Sequence, residues 1–141
     1  MVIIKKIIII IFTLSILACT FFIYSYLPKN FQSLLGSKNT SIVEIQLKWK
    51  DHVDCISDPD KINQLLEYFN SFTYIKKTSQ EISQDNLQNN TYQLKGAWFI
   101  NSNNQITYMD FFKNEVRSGV TYYYIPENYI DENTLQTILS K

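Results

Sequence analysis

From Ile7 to Leu27 the chain runs for 21 residues without a charged side chain. No other feature restricts the fold as much. A helix of that length spans about 30 Å, the thickness of a bilayer's hydrocarbon core. The run offers no polar face to water, which argues against a buried helix of a soluble protein. Lys5 and Lys6 precede it, and cations in that position stay on the cytoplasmic side. Tyr24 and Tyr26 stand near the far end, where tyrosine rings favour the interface, and Pro28 stops the helix. The sequence predicts a transmembrane anchor or signal segment over residues 1–27, with the membrane as the partner of residues 7–27 and the rest outside the cytoplasm.

A second reading of the same segment stays open. Ile16-Leu17-Ala18-Cys19 resembles the box of a bacterial lipoprotein, and the basic start with the apolar run Ile7 to Leu17 has the size of a signal peptide. On that reading Cys19 is lipidated and becomes the first residue of the mature chain. The two readings place the following domain on the same side of the membrane.

Residues 28–40 contain Pro, Gly, Ser, Asn and Lys and read as a tether, with Phe31, Leu34 and Leu35 able to form a short interfacial turn. Residues 41–141 suffice for one domain with a modest core. All 13 acidic residues lie from Glu44 onward, against 9 basic residues in the domain, a net charge of −4. That balance excludes the basic patch of a nucleic-acid binder. Cys19 and Cys55 are the two cysteines; one lies in the anchor, so no disulfide is expected.

Within the domain, Val43, Ile45, Leu47 and Trp49 alternate with polar residues, the signature of a half-buried strand. Asp51 to Ser57 reads as a loop. Asp58 and Pro59 start a helix whose apolar stripe is Ile62, Leu65, Leu66 and Phe69. A short strand is expected over 73–78 and a long polar loop over 79–90, with room for a helical turn. Thr91 to Ile100 is expected to place Tyr92, Leu94, Trp98 and Ile100 on one face. Asn101 to Asn104 turns, Gln105 to Phe112 and Val116 to Tyr124 follow as strands, and Asp131 caps a last helix with Ile130 and Leu135 as its hydrophobic staple. The order β-α-(β)-β-β-β-α predicts an α+β domain of two layers. Its antiparallel sheet has about four or five strands, with two helices on one face.

Two groups of residues are candidates for function. Asp51, His52, Asp54, Cys55, Asp58 and Asp60 hold every side-chain type that a metal site uses, with His52, Asp54 and Cys55 closest together. Asp58 is accounted for by capping, and neighbouring carboxylates raise rather than lower a thiol's pKa, which disfavours Cys55 as a nucleophile. No cofactor is called for, since no glycine-rich loop or nucleophile elbow is present. The second group is aromatic. Tyr108, Tyr122, Tyr123 and Tyr124 lie on adjacent strands, with Tyr123 facing away from Tyr122 and Tyr124. On an uncovered sheet face such residues form a contact surface.

The composition is rich in Ile, Asn, Lys and Tyr, whose codons are rich in A and T. From Ile56-Ser57-Asp58 through Lys76-Lys77-Thr78-Ser79 to Thr121-Tyr122-Tyr123-Tyr124-Ile125-Pro126, the domain resembles small extracytoplasmic domains of low-GC Gram-positive bacteria. Such domains follow a membrane or lipoprotein signal, and the resemblance implies no functional residues. The expectation is an exported, membrane-tethered interaction module of the cell envelope, regulatory or immunity-type and without catalytic activity. The alternative is a ligand- or metal-binding surface lipoprotein using residues 51–60.

Overall fold

The structure, a computed structural model, describes residues 2–36, 41–79, 81–84, 86, 91–126 and 128–140. The chain is α+β. It opens with an apolar helix, α1 (Val2–Ser25), followed by a short helix, α2 (Phe31–Leu35). Then come β1 (Ile42–Trp49), β2 (Val53–Ile56), α3 (Pro59–Asn70) and β3 (Ile75–Lys76). The strands β4 (Leu94–Asn101), β5 (Ile106–Phe111), β6 (Glu115–Ser118) and β7 (Thr121–Tyr124) precede the last helix, α4 (Glu132–Ser140).

Residues Lys6–Ser25 of α1 are long and apolar enough to cross a membrane, and none of that stretch is buried against the rest of the chain. Three of its hydroxyls bond to carbonyls inside the helix. Thr13 donates to the Ile9 carbonyl at 2.6 Å, Thr20 to Ile16 at 3.0 Å and Ser25 to Phe22 at 2.8 Å. A helix that closes its own polar groups can sit in hydrocarbon.

The seven strands form one antiparallel sheet in the order β2-β1-β4-β5-β6-β7-β3. The sheet is wider than the four or five strands expected, for two reasons. Trp49 and His52 close a tight hairpin through a 2.9 Å backbone bond, so Val53 to Ile56 pairs with β1 instead of forming a loop. Gly119, at φ 60°, supplies the left-handed residue of a two-residue turn, splitting 116–124 into β6 and β7.

One sheet face carries the helices. Ile62, Leu65 and Phe69 of α3 and Leu135 of α4 bury against Ile45, Leu47, Leu94, Phe99, Met109, Phe111 and Val116. Asp58 caps α3 by accepting from the Asp60 and Lys61 amides, and Asp131 does the same for Thr134. The staple is in place, with Ile130 and Leu135 wholly buried. Glu132, in the first turn of α4, accepts from the backbone amides of Gln93 and Leu94 and so ties that helix to β4.

The reading of 28–40 as a tether is corrected over the described part of that range. Lys29 pairs through its backbone with Tyr74, by bonds of 2.8 and 2.9 Å. Asn30 caps α2, and Phe31 is completely buried. Its ring stacks on Phe69 at 4.9 Å and meets Phe99 at 5.2 Å and Tyr74 at 5.8 Å. Thr107 and Ser118 donate to the carbonyls of Leu35 and Leu34, which fastens α2 over β5 and β6. An aromatic ring in a closed aromatic nest gains far more than one lying at an interface, so this segment folds into the core. Residues 37–40, and residues 80, 85 and 87–90 of the predicted long loop, lie outside the described residues.

Candidate functional site

The second sheet face lies away from α3 and α4; at its β6 end Ser83 and the helical residue Asn86 approach it beside Glu115. Cross-strand partners define its rows. Cys55, Gln46, Trp98 and Tyr108 stand side by side across β2, β1, β4 and β5. In the next row come Val53, Lys48, Gly96, Asp110, Arg117 and Tyr122. Trp98 is on a central strand yet only half-buried, as is Tyr108, and Ile106 beside them is 63 % exposed.

Trp98 reaches this face because β4 is irregular. The expectation put Trp98 on the same side as Leu94, and the structure corrects it. Lys48 pairs with Gly96 but Trp49 pairs with Leu94, so Lys95 is an extra residue in the ladder. Such a bulge reverses the alternation beyond it. Leu94, Ala97 and Phe99 point into the core, and Trp98 points out.

A glycine shapes the surface next to it. A Cβ on Gly96 would lie 2.6 Å from the Tyr108 hydroxyl and 2.7 Å from the Met109 carbonyl oxygen. The tyrosine therefore lies down over the bare backbone of Gly96, its ring 4.9 Å from that of Trp98. Lys48 lies 5.9 Å from the centroid of the Trp98 ring.

Hydrogen bonds tie Tyr108 to the neighbouring row. The Tyr108 hydroxyl donates to one Asp110 oxygen at 2.8 Å, and Arg117 Nε donates to the other at 2.6 Å, with Nη2 pairing to the same oxygen. Arg117 Nη1 donates onward to the Tyr122 hydroxyl at 3.3 Å. Burial, then the bond to Asp110, pushes the Tyr108 hydroxyl up to about 12. Bonds to Tyr122 and Asp110 raise Arg117 above its ordinary value. Both donors keep their protons through the physiological range, so these residues hold one hydrogen-bonding pattern.

At the far end of the face Glu115 is buried, its side chain 5 % exposed. It accepts from Lys77 Nζ at 2.7 Å and from the Ser83 amide at 3.2 Å, and Lys77 Nζ also donates to the Glu81 carbonyl at 2.8 Å. Burial alone would raise this carboxyl. The bonds from Lys77, Ser83 and Asn86 outweigh it, and the pKa falls below the usual glutamate range. Glu115 thus staples the segment after β3 to the sheet.

The predicted aromatic residues divide. Tyr108 and Tyr124 lie on the open face, Tyr124 being 39 % exposed. Tyr122 also faces that way but is nearly covered, under Arg117 at 5.8 Å. Tyr123 pairs with Val116 and is buried in the core on the helix side. The candidate metal group is also divided. His52 stacks on Trp49, and its Nε2 lies 3.5 Å from Asp54 Oδ2, an oxygen that accepts from Trp49 Nε1 at 2.7 Å. Cys55 alternates to the opposite side of the sheet, beside Gln46, and is exposed. Asp58 caps α3. Among the described residues no group of three or more His, Cys, Asp or Glu is placed to hold a metal ion. Cys19 is exposed on α1.

Sequence reasoning missed Trp98, Asp110 and Arg117. One signal was available: Arg117 is the sole arginine in a chain whose other basic residues of this kind are all lysine. Where lysine is so favoured, a guanidinium marks a place that needs its planar fork. Comparison with family models, curated proteins and solved structures finds no match for this chain.

Proposed function

We propose that the protein is a membrane-anchored module that docks another protein of the cell envelope on its open sheet face, and acts by binding rather than by catalysis. The observation that carries this is the cluster of Trp98, Tyr108, Asp110 and Arg117 on the face away from α3 and α4, with Tyr108, Asp110 and Arg117 joined by hydrogen bonds and Trp98 packed against the Tyr108 ring. Aromatic residues and arginine dominate the energetics of protein interfaces, and side chains already ordered lose less entropy on binding. Lys5 and Lys6, in the first turns of α1 and ahead of its uncharged run, support a cytoplasmic N-terminus and a domain on the outer side. That location accords with the resemblance to extracytoplasmic domains of low-GC Gram-positive bacteria. His52 and Cys55, the pair with nucleophile and base chemistry, lie on opposite sides of the sheet, which favours binding over catalysis.

Site-resolved photocrosslinking in cells tests the proposal. Photoreactive residues at Lys48, Tyr108 and Tyr124 should capture one discrete protein. The same residues at His52, at Tyr123 on the covered side, or at Asn63 on the outer surface of α3 should not. Equal capture from all positions, or capture from the controls alone, refutes docking on this face.

A further inference from the structure

Three residues, Tyr26 to Pro28, separate the end of α1 from the Lys29–Tyr74 bridge at the edge of the domain. A groove of about 540 Å³ opens at this junction, lined by Tyr24 and Leu27 on one side and Lys29, Asn30, Gln32 and Ser33 on the other. With α1 in a bilayer, Tyr24 stands at the interface and the groove opens at the depth of the lipid headgroups. We propose that this groove seats the headgroup of an anionic phospholipid.

Charge supports that occupant. No acidic side chain is among the described residues lining the groove, and the chain has none before Glu44. Lys29 points toward the Tyr123 ring at 6.0 Å, and Lys76 toward the Tyr26 ring at 5.4 Å. Neither lysine makes an ion pair with a described residue. Residues 41–141 carry a net charge of −4, whereas the charged side chain among the described residues lining the groove is the cation of Lys29. Elsewhere the domain's charge would repel an anionic surface. The groove also presents exposed side-chain amides. Asn30 Oδ1 is taken by the Ser33 amide and hydroxyl, but the Asn30 amide nitrogen and the Gln32 side chain bond to no described residue. A phosphodiester offers anionic oxygens to the lysine and to these amides, and its acyl chains continue along the apolar surface of α1. The site lies after Cys19, so it persists if the chain is cleaved there.

This inference rests on reading α1 as embedded in the membrane, and the experiment separates the two. The full chain is reconstituted into phosphatidylcholine vesicles containing a small fraction of phosphatidylglycerol with a photoreactive headgroup, and labelled peptides are identified by mass spectrometry. Labelling is expected within residues 24–36 and should exceed that from a zwitterionic headgroup probe. It should fall about fivefold for each of Lys29→Gln and Lys76→Gln, while Lys48→Gln on the open face leaves it unchanged. The Lys29 variant keeps the backbone bridge, and far-ultraviolet circular dichroism reports whether the fold persists. Equal labelling by the two headgroups, or no response to either lysine variant, overturns the proposal while the anchor reading stands. A chain that fails to float with the vesicles overturns both.

Discussion

Phe31→Ala decides whether the domain begins before residue 41. The wild-type ring is completely buried and touches the rings of Phe69, Phe99, Phe111 and Tyr74. Phe→Ala truncations at such sites cost about 3–5 kcal/mol, from lost transfer energy and the cavity left behind. The neighbouring helix α3 closes one side of the nest and the sheet the other, so little collapse can relieve the cavity. A domain of this size has about 5–15 kcal/mol in total, so the variant keeps a fraction of its stability. With an m value of about 1.5 kcal/mol per molar urea, the midpoint falls by roughly 2–3 M. The assay is urea unfolding of the full chain in detergent micelles, followed by the fluorescence of Trp49 and Trp98, with exposed Gln32→Ala on the same helix as control. The control should shift stability by less than about 0.5 kcal/mol. A Phe31 variant that unfolds with the Gln32 control would refute the reasoning, because only a loose tether behaves that way.

Gly96→Ala puts a methyl group against the Met109 backbone carbonyl as well as the Tyr108 hydroxyl; it should cost about 1–3 kcal/mol in thermal unfolding, and Tyr108→Ala should rescue it only in part. Arg117→Met should leave stability within about 1 kcal/mol, its pair being partly solvated, yet reduce crosslinking from Tyr108 more than tenfold; unchanged capture would remove the arginine from the interface. Glu115 has a lowered folded pKa, so it contributes stability at neutral pH that is lost as pH falls through that folded value. Proteolytic nicking within residues 77–86 should therefore rise on acidification. Glu115→Gln should lose about 1–3 kcal/mol at neutral pH and flatten that acid dependence; a Gln variant with the wild-type acid profile would assign it to another group.

What the sequence made legible follows the strength of each local signal. The long apolar helix α1, the alternation of β1 and the Asp58-Pro59 start of α3 were readable because each rests on residues close together in the chain. The Asn101 to Asn104 turn was readable for the same reason: Asn104 takes φ 59° and Asn101 accepts from the Asn103 and Gln105 amides. The segment α2 was not readable. Its apolar residues Phe31, Leu34 and Leu35 have helical spacing, but five residues are too few to show a period, and their burial depends on rings far along the chain. β2 was hidden by Asp51, His52 and Asp54, because an edge strand needs only Ile56 in the core and can carry charges elsewhere. The candidate site was the least legible part. Tyr108 was found by composition, but Trp98 was assigned to the wrong face, since a bulge at Lys95 leaves no mark in an alternating pattern.

The correction to α2 changes what the anchor means for function. A free tether would let the domain sample a shell around its attachment point and meet partners at a distance from the membrane. Three residues between α1 and the Lys29–Tyr74 bridge extend no more than about 10 Å. The Lys76 contact with Tyr26 at 5.4 Å and the burial of Phe31 restrain the junction further. The domain is therefore held against its own helix. With α1 in the bilayer, the open face is presented at a restricted height and over a restricted range of angles. Such restraint raises the effective concentration of the domain toward a partner that is itself in the membrane, and lowers it toward one that is not. The proposed partner is accordingly a membrane-bound protein of the envelope, whose exposed surface near the bilayer complements Trp98, Tyr108 and Arg117.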